Sequence, residues 1–304
     1  MIAKAEYHRP RSLPEALSLL EKYGKDLKIL AGGTNLVVDL KAKTIRPKVI
    51  MDIKDLAEMT GIKFDDNGEG FIGPLATVSF IKGWCISHGF YHNLRTACQH
   101  LGSFQVRNRA TVGGNLCDGS PCADTAIALL TYDAKLVVNA PGRERSIALD
   151  QFFKGIGGVD LRPGEILTQI TIPKLSESRG EAFYKLGYRK AMTIAIAGVA
   201  VLITPEQTSP ERVKDVRIAL SSVAPIPMRA QKAENILIGQ QGGKKFFEEA
   251  ANVAAGEAEP ITDIRGTKEY RREMIRIMVK NALIEAWDKT GMKFGDSLES
   301  RIDE

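Results

Sequence analysis

The sequence predicts an α+β chain in three units: a small α/β unit over residues 1–58, a larger α+β unit over 59–177, and an antiparallel sheet with helices over 178–293. A polar tail, 294–304, follows. Three observations carry this reading. At 304 residues the chain exceeds the usual single-domain length. Short β-like runs alternate with helical patterns in the first half, whereas after residue 178 three strand patterns come first and three helical ones follow. A composition of 44% hydrophobic and 26% charged residues is that of a chain with an ample core.

The elements follow in order. "SLPEALSLLEKYG" opens with Ser12 and Glu15 as a capping box and Pro14 in the first turn. Leu13, Ala16, Leu17 and Leu20 recur at helical spacing, and Gly24 ends the helix. "LKIL" (27–30) is a short strand, then a glycine turn and a second apolar run, and "KVIMDI" (48–53) is another strand. "GIKFDDNGEGFIG" reads as a hairpin around an Asp/Asn/Gly turn. One helix starts at Thr77 with Phe80, Ile81, Trp84 and Cys85 inward, and a second carries Leu94, Ala97, Cys98 and Leu101, capped by Gly102. A Gly/Ser/Pro loop leads to "ADTAIALL", a short helix opened by Asp124, and "KLVVN", "RSIAL" and "EILTQITIP" are strands. In the last unit "AFYKLGYRK", "IAIAGVAVLIT" and "KDVRIALSSV" read as strands, and "MRAQKAENILIG", "KKFFEEAANVAAGEA" and "TKEYRREMIRIMVKNALIEAWDKT" as helices.

The formal net charge of +5 comes from 42 basic and 37 acidic residues interspersed along the chain, which argues against a nucleic-acid stripe. No stretch approaches the ~20 apolar residues of a membrane span, and "MIAKAEYHRPRS" has no apolar leader. Four cysteines without a CxxC pair favour a reducing cytoplasm. The four histidines form no convincing metal pair.

Gly68, Gly70 and Gly73 spell a GxGxxG, but Pro74 follows at once and Asp65, Asp66 and Glu69 surround it with negative charge. A dinucleotide fingerprint needs a strand before it and a helix opening inside it, so the match is a decoy. Two other glycine pairs are more informative. "AGGTN" (31–35) and "TVGGN" (111–115) each read as a turn leaving a strand, with an asparagine close behind. Glycine pairs free the backbone so that successive N–H groups can converge on an anion. Either pair alone makes a tight turn; two together suit a diphosphate gripped from both sides.

"ILAGGTNLVVDLK", "GSFQVRNRATVGGNLCDGSPCADTAIALL", "GEILTQITIP" and "FYKLGYRKAMTIAIAGVAV", in that order and spacing, resemble the FAD-binding medium subunit of molybdenum hydroxylases. The likeness covers nearly the whole chain. It implies a two-part FAD-binding fold, in which the first two units clasp noncovalent FAD, with a C-terminal domain beside the ring. It further implies a first pyrophosphate turn at Ala31, Gly32, Gly33, Thr34 and Asn35, flanked by Lys28, Ile29, Leu30 and Leu36. The second turn would be Thr111, Val112, Gly113, Gly114 and Asn115. Asp124 matches an acid that holds polar groups of the adenosine half, Leu101 and Leu167 match apolar positions lining the cofactor, and Lys185 matches a basic position near it. Tyr188 would lie near enough to shield the ring.

In flavin subunits of 4-hydroxybenzoyl-CoA reductases the family adds an iron–sulfur cluster, which needs four thiolates. Here the cysteine-bearing insertion is missing and Cys85 and Cys98 fall on apolar helix faces, so Cys117 and Cys122 are read as free thiols. The resemblance implies an electron-transfer subunit: clusters of the [2Fe–2S] type on a small iron–sulfur subunit would deliver electrons from a large molybdenum-cofactor subunit, and NAD would be the natural external acceptor, with quinone, ferredoxin and oxygen left open. A dimer of heterotrimers is the implied assembly. Two alternatives stay open, a flavin subunit of an aromatic CoA-thioester reductase running electrons toward molybdenum, and a free-standing FAD oxidoreductase.

Overall fold

The computed structural model describes residues 5–292 and 294, arranged on three principal sheets. The first begins with β1 (Glu6–His8), α1 (Leu13–Tyr23), β2 (Leu27–Leu30), α2 (Leu36–Ala42) and β3 (Val49–Asp52). Its strands are parallel, in the order β1-β3-β2. Ser12 caps α1 by accepting the Glu15 N–H, and Glu15 accepts from the N–H of Arg11 in return. Gly24 closes the helix at a φ of 49°. Ala16 and Leu20 are buried; Leu13 and Leu17 only edge the same cluster, so the apolar stripe is narrower than its spacing predicts. The second apolar run after "AGGTN" is the helix α2.

The second sheet contains β4 (Ile62–Phe64) and β5 (Gly70–Ile72), followed by helices α3 (Val78–His88), α4 (His92–His100), α5 (Phe104–Arg107), α6 (Val112–Cys117) and α7 (Asp124–Thr131). Then come β6 (Lys135–Ala140), β7 (Arg143–Ala148), α8 (Leu149–Phe152), the small ribbon β8 (Phe153–Gly155) and β9 (Gly158–Val159), and β10 (Ile166–Ile172). The order β4-β5-β10-β6-β7 is antiparallel throughout. Thr77 caps α3 as expected. The buried face of α3 is Val78, Ile81 and Cys85, however, and Phe80 points outward at 46% exposure. The expected inward set mixed two faces of one helix.

The third sheet is β11 (Gly180–Leu186), β12 (Ala197–Pro205), β13 (Val213–Ser221) and a short edge strand β14 (Met228–Arg229), all antiparallel in sequence order. Helices α9 (Gln231–Leu237), α10 (Lys244–Glu257) and α11 (Lys268–Lys289) follow. Met228 and Arg229, read with the helix, belong to the edge strand instead. All of β12 is buried, because Val199, Val201 and Ile203 meet the core with α10 and α11, while Ala200 and Leu202 face the core that contains α7. That double cover explains an unbroken apolar run where a half-exposed strand would alternate. Phe294 packs against Phe247 with ring centroids 6.4 Å apart, so the first residue of the expected polar tail belongs to the core; 295–304 lie outside the described residues. No helix among the described residues is long and apolar enough to cross a membrane.

Of the glycines of the GxGxxG, Gly68 makes the hairpin turn at a φ of 83° and Gly70 and Gly73 are packing positions. A Cβ on Gly70 would fall 2.1 Å from the Tyr91 hydroxyl, and one on Gly73 would fall 2.3 Å from the Met59 carbonyl oxygen. We expect Gly70→Ala to lower the urea midpoint by the equivalent of about 1–3 kcal/mol through overpacking. Flavin per folded chain should stay unchanged; a specific loss of flavin would show that the motif is no decoy.

Candidate functional site

A cavity of about 890 Å3 opens where the three sheets meet. Its volume lies in the upper part of the ~300–1,000 Å3 range of small-molecule sites. The walls come from the arm after β2, from the segment Thr111–Asn115, from the loop leading into α7, from β10, and from β11 with the loop after it.

The two glycine arms, some 80 residues apart in sequence, touch. A Cβ on Gly32 would fall 2.2 Å from the carbonyl oxygen of Arg109, so only glycine lets the backbones approach this closely. Asn35 then donates to Asp118 at 2.7 Å, joining the first arm to the loop behind the second. In the first arm Gly33 has a φ of 74°, a left-handed conformation that suits glycine. Among the described residues, the N–H groups of Gly32, Gly33 and Thr34 find no protein acceptor. Three successive donors without acceptors beside a cavity form a cradle for an anion.

The second arm differs from its expected form. It is the start of α6, preceded by an isolated bridge between Thr77 and Thr111. Thr111 caps it by accepting from the Gly114 N–H at 3.1 Å. Gly113 packs on Pro74, where a Cβ would fall 2.5 Å from the proline Cβ, whereas Gly114 is exposed toward the cavity. Asn115 accepts from Thr125 at 2.6 Å, which ties this arm to α7.

At another part of the wall, Lys185 on β11 donates to Asp124 at 2.7 Å and to the carbonyl of His100 at 3.2 Å. Both side chains are nearly inaccessible, at 5% and 7%. Burial raises the Asp124 carboxyl to about 6, opposed by the Lys185 ammonium. Asp124 is the first residue of α7 and makes no capping bond, because its side chain turns to Lys185. The two residues, expected separately beside the cofactor, thus form a single buried pair.

Sixteen of the eighteen expected site residues line the cavity. Leu30 and Val112 do not: Val112 is wholly buried in the core, and Leu30 packs back beneath Gly33. Tyr188 is also absent from the lining; it is 69% exposed and donates to the Ile264 carbonyl. The main omissions are Met192, Thr193 and Ile194, from the loop between β11 and β12, and Ser120 and Cys122, before α7. Their residue types carry no signal, and topology alone brings them there. The cationic side chains in the lining are Lys28 and Lys185, against the carboxylates of Asp39, Asp118 and Asp124. Side-chain charge in this lining therefore does not favour an anion, and one held here would rely on backbone donors. Burial raises the thiols of Cys85 and Cys117 to about 12, which keeps them protonated at neutral pH.

Fold and cavity together define a class: an α+β chain with a cavity of small-molecule size, bearing a backbone anion cradle, where its first two sheets meet a third. Comparison with known proteins takes this further. Residues 3–175 match the family described as the FAD binding domain in molybdopterin dehydrogenase, and 182–286 match the CO dehydrogenase flavoprotein C-terminal domain. The chain is 33% identical to the carbon monoxide dehydrogenase medium chain of Hydrogenophaga pseudoflava, covering 93% of this chain and 96% of that one. It is 32% identical to the xanthine dehydrogenase FAD-binding subunit of Escherichia coli O157:H7, covering 95% and 98%. The solved carbon monoxide dehydrogenase from Hydrogenophaga pseudoflava, in a form lacking the Mo-pyranopterin moiety, contains a chain that superposes with a TM-score of 0.90. That match has 32% identity and covers 95% of this chain and 99% of that chain. The chain belongs to this family: it is an FAD-binding oxidoreductase subunit of the molybdenum hydroxylases.

Proposed function

We propose that this chain takes electrons from iron–sulfur clusters on a small partner subunit and passes them to an external acceptor, NAD, while a large partner subunit carries the molybdenum cofactor and oxidises the substrate. The supporting observation is the pair of converging glycine arms beside one cavity, the first of which presents the N–H groups of Gly32, Gly33 and Thr34 without protein acceptors among the described residues. Bound FAD supplies the exchange between one-electron and two-electron carriers.

The protein's part is to bind, orient and exclude water. Gly32, Gly33 and Thr34 would donate to the pyrophosphate from one side, and the Gly114 end of α6 would approach it from the other. Asn35 and Asn115 hold the arms in register through Asp118 and Thr125. Ala31, Leu36, Leu101 and Leu167 line the walls, and Lys28 and Ile29 present the end of β2. Leu30 and Val112 serve from beneath. The Lys185–Asp124 pair fixes a cation and a buried carboxyl at the far wall, where they can meet polar atoms of the cofactor. Units bounded at 1–58, 59–177 and 178–293, a cytoplasmic setting and a dimer of heterotrimers complete the reading.

The test is to load the chain with FAD alone and in complex with its two partners, and then add the organic substrate of the complex. The flavin absorbance should bleach only in the complex. Bleaching of the isolated chain by that substrate would favour a free-standing oxidoreductase.

A further inference from the structure

Arg271, in the first turn of α11, is buried to 2% exposure, and its Nε has no hydrogen-bond partner among the described residues. Burying a guanidinium with an unsatisfied donor costs stability. What its other nitrogens hold explains its presence. Nη1 donates to the carbonyl oxygens of Ile196, at 3.1 Å, and Ser222, at 2.9 Å; Nη2 donates to Asp263 Oδ1 at 2.5 Å.

Each partner leads to the cavity. The Ile196 N–H donates to the Leu186 carbonyl at 2.8 Å and so pinches the base of the loop 187–195, which puts Met192, Thr193 and Ile194 into the cavity wall. At the tip of that loop, the Met192 N–H donates to the Gly102 carbonyl, and Arg189 holds the Met192 carbonyl. On its flank, Tyr188 donates to the carbonyl of Ile264, the residue after Asp263. The Ser222 N–H, in turn, donates at 2.9 Å to the Pro121 carbonyl, in the loop whose Ser120 and Cys122 line the opposite wall.

We infer that Arg271, with Asp263, is a positioning residue for the flavin pocket: one buried guanidinium sets the base of the wall loop 187–195, its Tyr188 flank, and the link from the third sheet to the 118–123 loop. The inference rests on the proposed FAD site and adds a function to a residue that does not touch it. The planar fork is what reaches two carbonyls and a carboxylate at once, so a lysine, with the same charge, does not substitute for it.

The test uses the full chain loaded with FAD. Arg271→Lys and Asp263→Asn are compared with Arg276→Met, which removes a solvent-facing ion-pair partner from the same helix. Three quantities are read on folded protein: FAD affinity, iodide quenching of the bound flavin, and the urea midpoint. Arg271→Lys should weaken FAD binding by about tenfold, equivalent to ~1.4 kcal/mol, and increase iodide access. Asp263→Asn should move both in the same direction by a smaller factor, and Arg276→Met should move neither. Should Arg271→Lys fail to fold, Asp263→Asn decides, because it is nearly isosteric and its site is partly open, at 19% exposure. Lower urea midpoints with unchanged affinity and quenching in the folded fraction would reduce Arg271 to a structural residue and overturn the inference. Failure of the wild-type chain to bind FAD would overturn the site reading instead, and the wild-type titration separates the two.

Discussion

Gly114→Val is expected to yield a folded chain that purifies without flavin. The glycine faces the cavity at the start of α6, and a Cβ there would fall 2.9 Å from the Thr111 hydroxyl oxygen that accepts the Gly114 N–H. A valine thus displaces the cap and puts its side chain into the cavity. Losing the cap costs about 1 kcal/mol of stability. If the bulk pushes the phosphate off two of the three unpaired donors of the first arm, at about 1.5–3 kcal/mol each, FAD binding weakens by at least about a hundredfold. Gly33→Val should act alike, because its φ of 74° adds strain of about 1–2 kcal/mol to the same obstruction. Gly256→Ala, in α10 with nothing within 4 Å of the added Cβ, is the matched control and should keep its flavin. Circular dichroism and flavin absorbance on one sample check this; wild-type flavin content in Gly114→Val would remove the second arm from the site.

Lys185→Met should have the largest effect on stability. It leaves Asp124 buried without its cation, and breaking a buried pair from one side costs about 3–5 kcal/mol. The pH dependence has a definite sign. The folded-state carboxyl, at about 6, already lies above its unfolded value, so the folded chain binds more protons between about pH 4 and pH 6. Stability contributed by this group is therefore greatest at low pH and is lost as pH rises through that window. Removing the opposing ammonium moves the folded value further up, so the variant should lose more at pH 7 than at pH 5. Urea midpoints of variant minus wild type at each pH cancel what groups remote from Lys185 contribute to both; His100, whose imidazole burial and the Lys185 ammonium hold below its ordinary value, is replaced by glutamine in both proteins. Lys185→Met combined with Asp124→Asn should recover much of the loss at pH 7. An equal loss at both pH values would mean that Asp124 is not ionised in the folded chain.

The sequence was most legible where local chemistry decides. The Ser12 cap, the hairpin around Asp65, and the runs that became β11, β12 and β13 need little beyond spacing and turn residues. Phe80 was misplaced because the apolar side chains of α3 cover more than one face, and tertiary packing selects among them. The second glycine arm looked like a turn because two glycines disfavour a helix; the Thr111 cap and the close fit of Gly113 on Pro74 overrule that preference. The contact of Gly32 with Arg109 and the Lys185–Asp124 pair join distant segments, so the residues could be named but not their partners. Met192–Ile194 and Arg271 carried no local signal at all. Their roles depend on where the third sheet docks.

Residues 31–36 and 111–115 are proposed to form one noncovalent site for one FAD. The most direct measurement is to precipitate the flavin-loaded chain with acid and identify and count the flavin on each side of the spin. One FAD per chain is expected in the supernatant and none on the pellet. Flavin retained on the denatured chain, or FMN in place of FAD, would contradict it, since the first requires an attachment residue and the second leaves two phosphate arms without a diphosphate.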